Sequence, residues 1–179
     1  LPIVAAITGN NNVCIGSTTN LSNATAGGVW GSSNTAIATV DASGIVTGIS
    51  AGSVSITYTV TNSNNCITTV ASVITIDPLP IVAAITGNNN VCIGSTTNLS
   101  NATAGGVWSS SNTSIATVDA SGIVTGISVG SVTISYTVTN SNNCVTIAST
   151  SMIVNSLPTV APITGNTVLC AGSTTNLSN

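Results

Sequence analysis

The sequence predicts an all-β protein made of tandem sandwich repeats, and three observations support this fold class. The stretch from Trp30 to Val60 recurs 78 residues later, from Trp108 to Val138, and two copies at a fixed period define a repeat unit. Near the end of each copy, apolar and hydroxyl residues alternate as in a half-buried strand. A Gly-containing segment, Asp41–Gly44, separates two short β-branched runs, which is typical of a tight turn between strands.

The period divides the chain into three segments. We expect a first repeat over 1–78, a second over 79–156, and the start of a third over 157–179, which matches only the beginning of a repeat. The sequence is therefore interpreted as a window on a longer array. It opens with no signal peptide and contains no apolar run long enough to cross a membrane, so any export signal, anchor or head domain is expected outside it.

The first half of a repeat predicts three strands. Residues 1–9 contain Pro2 and a β-branched run, which suits an edge strand. Thr18–Ser22 is the second predicted strand, with Leu21 in the core. A third strand begins at Val29, after a small polar connection.

The second half predicts the turn at 41–44 between two short strands, then a strand over 53–60 and a last strand over 67–76. In the strand over 53–60 one face is apolar and the other carries hydroxyls; the apolar residues are Val54, Ile56, Tyr58 and Val60. A repeat of this size buries only about 60 per cent of its unfolded surface, so large side chains matter. We expect the core anchors to be Trp30, Tyr58, Trp108 and Tyr136. A ligand-stacking role for the tryptophans is the weaker alternative.

The charge content excludes several functions. The chain has no Lys, Arg or His, and its only charged side chains are Asp41, Asp77 and Asp119. Nucleic-acid binding depends on cations that displace phosphate counterions, and a general base near neutral pH is usually His or a tuned carboxylate or Lys. We therefore expect no enzyme activity, no nucleic-acid partner and no cofactor. A net charge of −3 gives little repulsion between molecules, so lateral self-association is an open possibility.

Five cysteines complete the inventory. Cys14 and Cys66 lie 52 residues apart, as do Cys92 and Cys144, and Cys170 falls at the position of the first cysteine of a third repeat. This spacing predicts one disulfide in each repeat, Cys14 to Cys66 and Cys92 to Cys144, with Cys170 unpaired in this window. Metal binding is the alternative, but the chain has neither CxxC pairs nor His. A calcium site at Asp77 would have a single carboxylate, so we expect no metal.

The central half of each repeat resembles the bacterial immunoglobulin-like group 2 family. The resemblance rests on Trp, Ser-Ser-Asn, Val-Asp, Gly-Ile-Val-Thr-Gly and Gly-Ser-Val in that order, while the flanking segments are similar to repeats of large surface proteins exported by the type IX route. The resemblance implies a tandem immunoglobulin-like β-sandwich that serves as a stalk. In antibody domains the disulfide staples the two sheets through the core, with a Tyr two residues before the second Cys. Tyr58 lies eight residues before Cys66, so we expect the disulfide at one pole of the sandwich.

These observations predict stalk or fibre-shaft repeats of an extracellular bacterial surface protein, in contact with neighbouring repeats of the same chain. One alternative is a self-assembling filament. Another is a glycan-binding or host-protein-binding module that uses the loops 10–12 and 23–28, although Asn and Gly are also ordinary turn formers. The N-x-S/T sequons that begin at Asn20, Asn23, Asn98, Asn101 and Asn176 are interpreted as surface-turn markers.

Overall fold

A computed structural model describes all residues from 1 to 179, and it confirms the all-β fold class. The structure contains no helix that is long and apolar enough to cross a membrane. The first repeat supplies eight strands: β1 (Thr8–Gly9), β2 (Asn12–Cys14), β3 (Thr18–Ser22), β4 (Val29–Ser32), β5 (Ala38–Val40), β6 (Ile45–Gly48), β7 (Gly52–Thr61) and β8 (Ile67–Asp77).

These strands form two four-stranded sheets, with the orders β1-β3-β6-β5 and β2-β8-β7-β4. All the pairings are antiparallel except β2 with β8, which is parallel and aligns Cys14 with Asp77. The two sheets enclose one apolar core, whose buried members are Val13, Leu21, Ala38, Val46, Val54, Ile56, Ile74 and Ile76. Both sheets contribute to this core, which makes the repeat a two-layer sandwich.

The predicted alternation in β7 is confirmed. Val54, Ile56, Tyr58 and Val60 are all buried, and the residues between them are not. The predicted turn is confirmed as well, because the Asp41 side-chain oxygen Oδ1 accepts hydrogen bonds from the backbone N–H groups of Ser43 and Ile45. Gly44 closes this turn with a φ of 84°, a conformation that favours glycine.

The first predicted strand is shorter than the sequence indicated. Only Thr8–Gly9 of the segment 1–9 pairs in a sheet. The backbone of Ala5 is instead bonded to side chains: its N–H donates to Thr25 Oγ1 and its carbonyl accepts from Asn23 Nδ2. Because side chains satisfy these groups, the segment needs no strand partner there.

The second repeat supplies eight corresponding strands: β9 (Thr86–Gly87), β10 (Asn90–Cys92), β11 (Thr96–Ser100), β12 (Val107–Ser110), β13 (Ala116–Val118), β14 (Ile123–Gly126), β15 (Gly130–Thr139) and β16 (Val145–Asn155). Their sheet orders are β9-β11-β14-β13 and β10-β16-β15-β12, which repeat those of the first sandwich. A second buried cluster contains Val91, Leu99, Ala116, Val124, Val132, Ile134, Met152 and Val154. The start of the third repeat forms only β17 (Thr164–Gly165) and β18 (Leu177–Ser178).

The chain divides into two compact units that do not follow the repeat boundaries. Unit 1 contains residues 1–84 together with two segments of the second repeat, 101–107 and 136–148. Unit 2 contains 85–100, 108–135 and 149–179. The division into repeats at residues 78 and 156 therefore remains a prediction from the sequence period.

Candidate functional site

The second cysteine of each repeat closes a tight loop of asparagines. In the loop 140–144, Asn140 Oδ1 accepts hydrogen bonds from the backbone N–H groups of Asn142 and Cys144, each 3.0 Å long. Asn143 adopts a φ of 60°, a left-handed conformation that Asn tolerates better than most residues. Thus the side chain of one asparagine fixes the backbone of the loop that carries Cys144.

The first cysteine of a repeat lies in a different setting, at the end of a short parallel strand. Cys14 ends β2 opposite Asp77, the last residue of β8. The Ile15 N–H donates to the Asp77 backbone carbonyl at 3.0 Å, and the Ser17 N–H donates to the Cys14 carbonyl at 3.0 Å. Cys14 is therefore held between the end of β8, the longest strand of the first repeat, and a tight turn.

The structure joins these two kinds of position across the repeats. Cys14 and Cys144 form a disulfide, with their Cα atoms 5.6 Å apart and a sequence separation of 130. Cys66, Cys92 and Cys170 are free thiols. The disulfide thus connects the first repeat with the second, and both of its cysteines belong to unit 1.

The pairing predicted from the sequence, Cys14 to Cys66 and Cys92 to Cys144, is wrong in this structure. Cys66 directly precedes the first residue of β8, whereas Cys14 aligns with its last residue. A strand of 11 residues spans roughly 35 Å at about 3.3 Å per residue. A disulfide requires Cα atoms within about 7 Å, so Cys14 and Cys66 lie at opposite poles of one sandwich and cannot be bridged. The sequence analysis predicted a disulfide at one pole of the sandwich, but it did not predict that Cys14 pairs with Cys144.

Two side-chain hydrogen bonds accompany the disulfide. Asn142 Nδ2 donates to Asp77 Oδ1 at 2.7 Å, and Asn140 Nδ2 donates to the Pro78 carbonyl at 2.9 Å. Asp77 is only 6% exposed and Cys144 only 1%. We call this group the Cys14–Cys144 joint; its residues are Cys14, Asp77, Pro78, Asn140, Asn142 and Cys144.

A polar cavity of about 490 Å³ opens beside the joint and includes part of the loop 10–12. Asn10 and Asn12 line it, but Asn10 Oδ1 already accepts the Asn12 N–H at 3.1 Å. The cavity contains one carboxylate, that of Asp77. No group of three or more potential metal ligands occurs in the described chain. These asparagines therefore shape the turn, and their arrangement brings together neither a nucleophile with a base nor a set of metal ligands.

The loop 23–28 is also committed to internal contacts. Tyr58 donates its hydroxyl hydrogen to the Thr25 carbonyl at 2.7 Å and accepts the Gly28 N–H at 2.9 Å. Asn23 Oδ1 accepts the Thr25 N–H at 2.9 Å. This loop is thus fastened to the core by a buried tyrosine.

The four predicted core anchors occupy two kinds of position. Tyr58 and Tyr136 are buried, with 6% and 7% exposure. Trp30 and Trp108 are partly buried and pack against the first and second core clusters, respectively. Trp30 also lies against Tyr58, with ring centroids 4.7 Å apart and planes tilted by 55°, an arrangement that aromatic pairs favour.

The sequence analysis did not identify the residues whose hydrogen bonds accompany the disulfide, which are Asp77, Pro78, Asn140 and Asn142. One signal was available: Asp77 and Pro78 directly end the last strand, and the asparagines directly precede the next copy of that strand. The end of the first repeat and the loop before the last strand of the second repeat therefore carry complementary acceptors and donors. Using this signal required the parallel pairing of β2 with β8, which the local sequence does not reveal.

The fold and the joint together define a class of protein: tandem immunoglobulin-like β-sandwich repeats connected by a disulfide. The chain belongs to the family described as Bacterial Ig-like domain (group 2), whose profile matches residues 4–71 and 70–149. The family resemblance inferred from the sequence motifs is confirmed.

Similarity to individual proteins is more limited. Ice-binding protein 1 of Shewanella frigidimarina (strain NCIMB 400) is 36% identical over 122 residues, which cover 62% of this chain and 13% of that protein. Invasin, a bacterial integrin-binding protein, aligns with 84% of this chain and 38% of its own at 18% identity and a TM-score of 0.46. A 282-residue fragment of intimin aligns with 92% of this chain and 67% of its own at 16% identity and a TM-score of 0.40.

Proposed function

We propose that these repeats form the shaft of an extracellular bacterial surface protein and hold another part of that protein away from the cell. The observation that carries the proposal is the Cys14–Cys144 disulfide. A bond of this kind persists in an oxidising compartment. It resists separation of consecutive repeats, which a spacer requires and an isolated binding domain does not.

The use of the polar residues agrees with this function. Asp41 and Asp119 each accept hydrogen bonds from the backbone of their own turns, and Asp77 belongs to the joint. The asparagine loops bond to their own backbone. The polar side chains thus support turns and connections, which favours reach over catalysis.

Small-angle X-ray scattering tests the proposal. A shaft predicts that the maximum dimension increases by roughly 35 to 45 Å for each added repeat, given strands of about seven residues and their end loops. The comparison requires the present chain and a version extended by one further repeat. An added repeat that leaves the maximum dimension unchanged would contradict a spacer function.

The outer face of the β2-β8-β7-β4 sheet favours a second candidate, a filament formed by lateral association. Apart from Asp77, which is buried in the joint at the end of β8, this face carries no charge, and two of its valines are prominent, with Val29 71% and Val73 62% exposed. Val29 pairs with Thr59, whose hydroxyl is 2.9 Å from that of Thr69. Nothing on such a face repels a second copy.

Sedimentation velocity separates the two candidates. A filament subunit should form larger species as concentration rises, and Val73→Lys should abolish them by placing a charge on the face. Ser63→Lys is the matched control, because it adds the same charge in the exposed loop before Cys66. A single monomeric boundary at every concentration would exclude the filament and leave the shaft proposal intact.

A further inference from the structure

The two kinds of cysteine position recur in the chain without being joined. Cys92 is the counterpart of Cys14: it ends β10 opposite Asn155, the last residue of β16. Its surroundings match those of Cys14 closely. The Ile93 N–H donates to the Asn155 carbonyl, the Gly94 N–H to the Gly126 carbonyl, and the Ser95 N–H to the Cys92 carbonyl, at 3.0, 2.9 and 3.0 Å.

Cys66 is the counterpart of Cys144. Asn62 Oδ1 accepts the N–H groups of Asn64 and Cys66 at 3.0 Å each, and Asn65 has a φ of 59°. These values reproduce those of the Cys144 loop. The difference is burial: Cys144 is 1% exposed, whereas Cys66 is a partly exposed free thiol.

We propose that the Cys14–Cys144 joint is a repeating covalent connection, in which the first cysteine of each repeat bonds to the second cysteine of the repeat that follows it. Cys92 then occupies the Cys14 position of the next joint. Its partner is the cysteine at the Cys144 position of the repeat that follows. Cys66 occupies the Cys144 position of a joint with the repeat that precedes it. This connection does not depend on the shaft function, since any arrangement of consecutive repeats would contain it.

The residues around Cys92 retain the chemistry that the joint uses. Asn155 replaces Asp77, and its Oδ1 atom can accept the hydrogen bond that Asn142 donates to Asp77 in the first joint. Ser156 replaces Pro78, whose contribution is a backbone carbonyl, which every residue supplies. The substitutions between the repeats therefore preserve both acceptors.

Forming the bond is an oxidation. The two thiols lose two protons and two electrons, and a sulfur–sulfur bond forms between them. The oxidant is a second disulfide, which is cleaved to two thiols by exchange: a thiol–disulfide oxidoreductase in an oxidising compartment, or oxidised glutathione in the test. Folding supplies the alignment, because the asparagine loop fixes the backbone at one cysteine and the parallel strand holds the other.

The test uses the full chain extended by a copy of residues 102–156 after Asn179, which completes the third repeat. The protein is folded in a glutathione redox buffer, and its free thiols are alkylated. A protease that cleaves before Asp then separates all the cysteines except Cys144 and Cys170, because the extended chain has Asp only at 41, 77, 119 and the appended copy of Asp119. The fragments are 1–40, 41–76, 77–118, one with Cys144 and Cys170, and one with the appended cysteine; alkylation of Cys170 distinguishes it from Cys144. Trypsin is useless here, since the chain has no Lys or Arg.

We expect fragment 77–118, which contains Cys92, to be disulfide-linked to the fragment beginning at the appended copy of Asp119. Alkylation of Cys92, complete in the original chain, should be lost. Cys66 and Cys170 should remain alkylated, and the link between fragment 1–40 and the fragment with Cys144 shows that the chain has folded. Replacing the appended cysteine by serine should restore alkylation of Cys92.

Two outcomes would overturn the proposal. One is continued alkylation of Cys92 in the extended chain while Cys14 remains bonded to Cys144. The other is pairing of Cys92 with Cys144 or Cys170. Neither outcome bears on the scattering test of the shaft, which measures length and not connectivity.

Discussion

The loops 62–66 and 140–144 have the same sequence and the same internal hydrogen bonds, but they differ in covalent state. In each loop the side chain of the first asparagine accepts hydrogen bonds from two backbone N–H groups. The asparagine directly before the cysteine, Asn65 or Asn143, has a left-handed backbone conformation. Only the second loop lies against Cys14, Asp77 and Pro78. Local sequence therefore determines the conformation of the loop, while its tertiary surroundings determine whether its thiol is bonded.

The largest expected difference between the loops comes from removing the disulfide. Cys14→Ser opens a closed loop of 130 residues, which the chain-entropy description values at about 5 kcal/mol. Cys66→Ser, the control in the unbonded loop, should change the free energy of unfolding by less than about 0.5 kcal/mol. Urea unfolding followed by Trp30 and Trp108 fluorescence measures both. Equal losses in the two variants would show that the bond contributes nothing specific.

The two tyrosines test whether positions with equal surroundings behave equally. Tyr58→Phe removes hydroxyl contacts with Gly28 and Thr25, and Tyr136→Phe removes those with Gly106 and Thr103. Each substitution leaves a backbone N–H without its acceptor and should cost about 2 kcal/mol. The same urea measurement should give similar values for both. A large effect at only one position would contradict the equivalence of the repeats.

The asparagine that contacts Asp77 should separate the loops again, by a smaller amount. Asn142→Ala removes the hydrogen bond to a buried carboxylate and should cost about 1 to 2 kcal/mol. Asn64→Ala changes the equivalent residue of the other loop and is the matched control, with an expected cost below about 0.5 kcal/mol. Thermal unfolding monitored by circular dichroism compares them. The joint would need another explanation if Asn64→Ala were the more damaging change.

The smallest effect is expected from Asp77→Asn. This substitution places in the first joint the residue that the second repeat has at the same position, Asn155. The acceptor oxygen is retained, but a charge-assisted hydrogen bond becomes a neutral one, which is about half as strong. A loss of about 0.5 to 1 kcal/mol is expected in the urea measurement, with the disulfide still formed by thiol counting. Loss of the disulfide in this variant would indicate that the charge is required and would weaken the equivalence of Asn155.

The sequence predicted most of the sandwich for identifiable reasons. The period-two pattern of Val54 to Val60 specifies which face of β7 is buried, and the Asp41–Gly44 turn carries its own capping side chain. Both signals are local. The segment 1–9 was predicted too long, because the side chains that satisfy Ala5 lie 18 and 20 residues away.

The joint could not be predicted in the same way. In a tandem repeat, a pairing within one unit and a pairing between consecutive units use the same two cysteine positions, so spacing alone does not distinguish them. The distinction depends on the length of β8 and on the parallel alignment of Cys14 with Asp77. Parallel pairing joins residues that are distant in sequence and has no local signature.

The disulfide also determines the path of a mechanical load. Tension applied to the two chain ends would pass from residue 14 to residue 144 through the sulfur atoms. The 130-residue separation between them, which corresponds to roughly 440 Å of extended chain, would carry no load. With the disulfide reduced, the load would reach the folded strands between the two cysteines, and their unfolding would release this length. Stretching a single molecule before and after reduction would thus show a tether whose extensibility is controlled by one covalent bond.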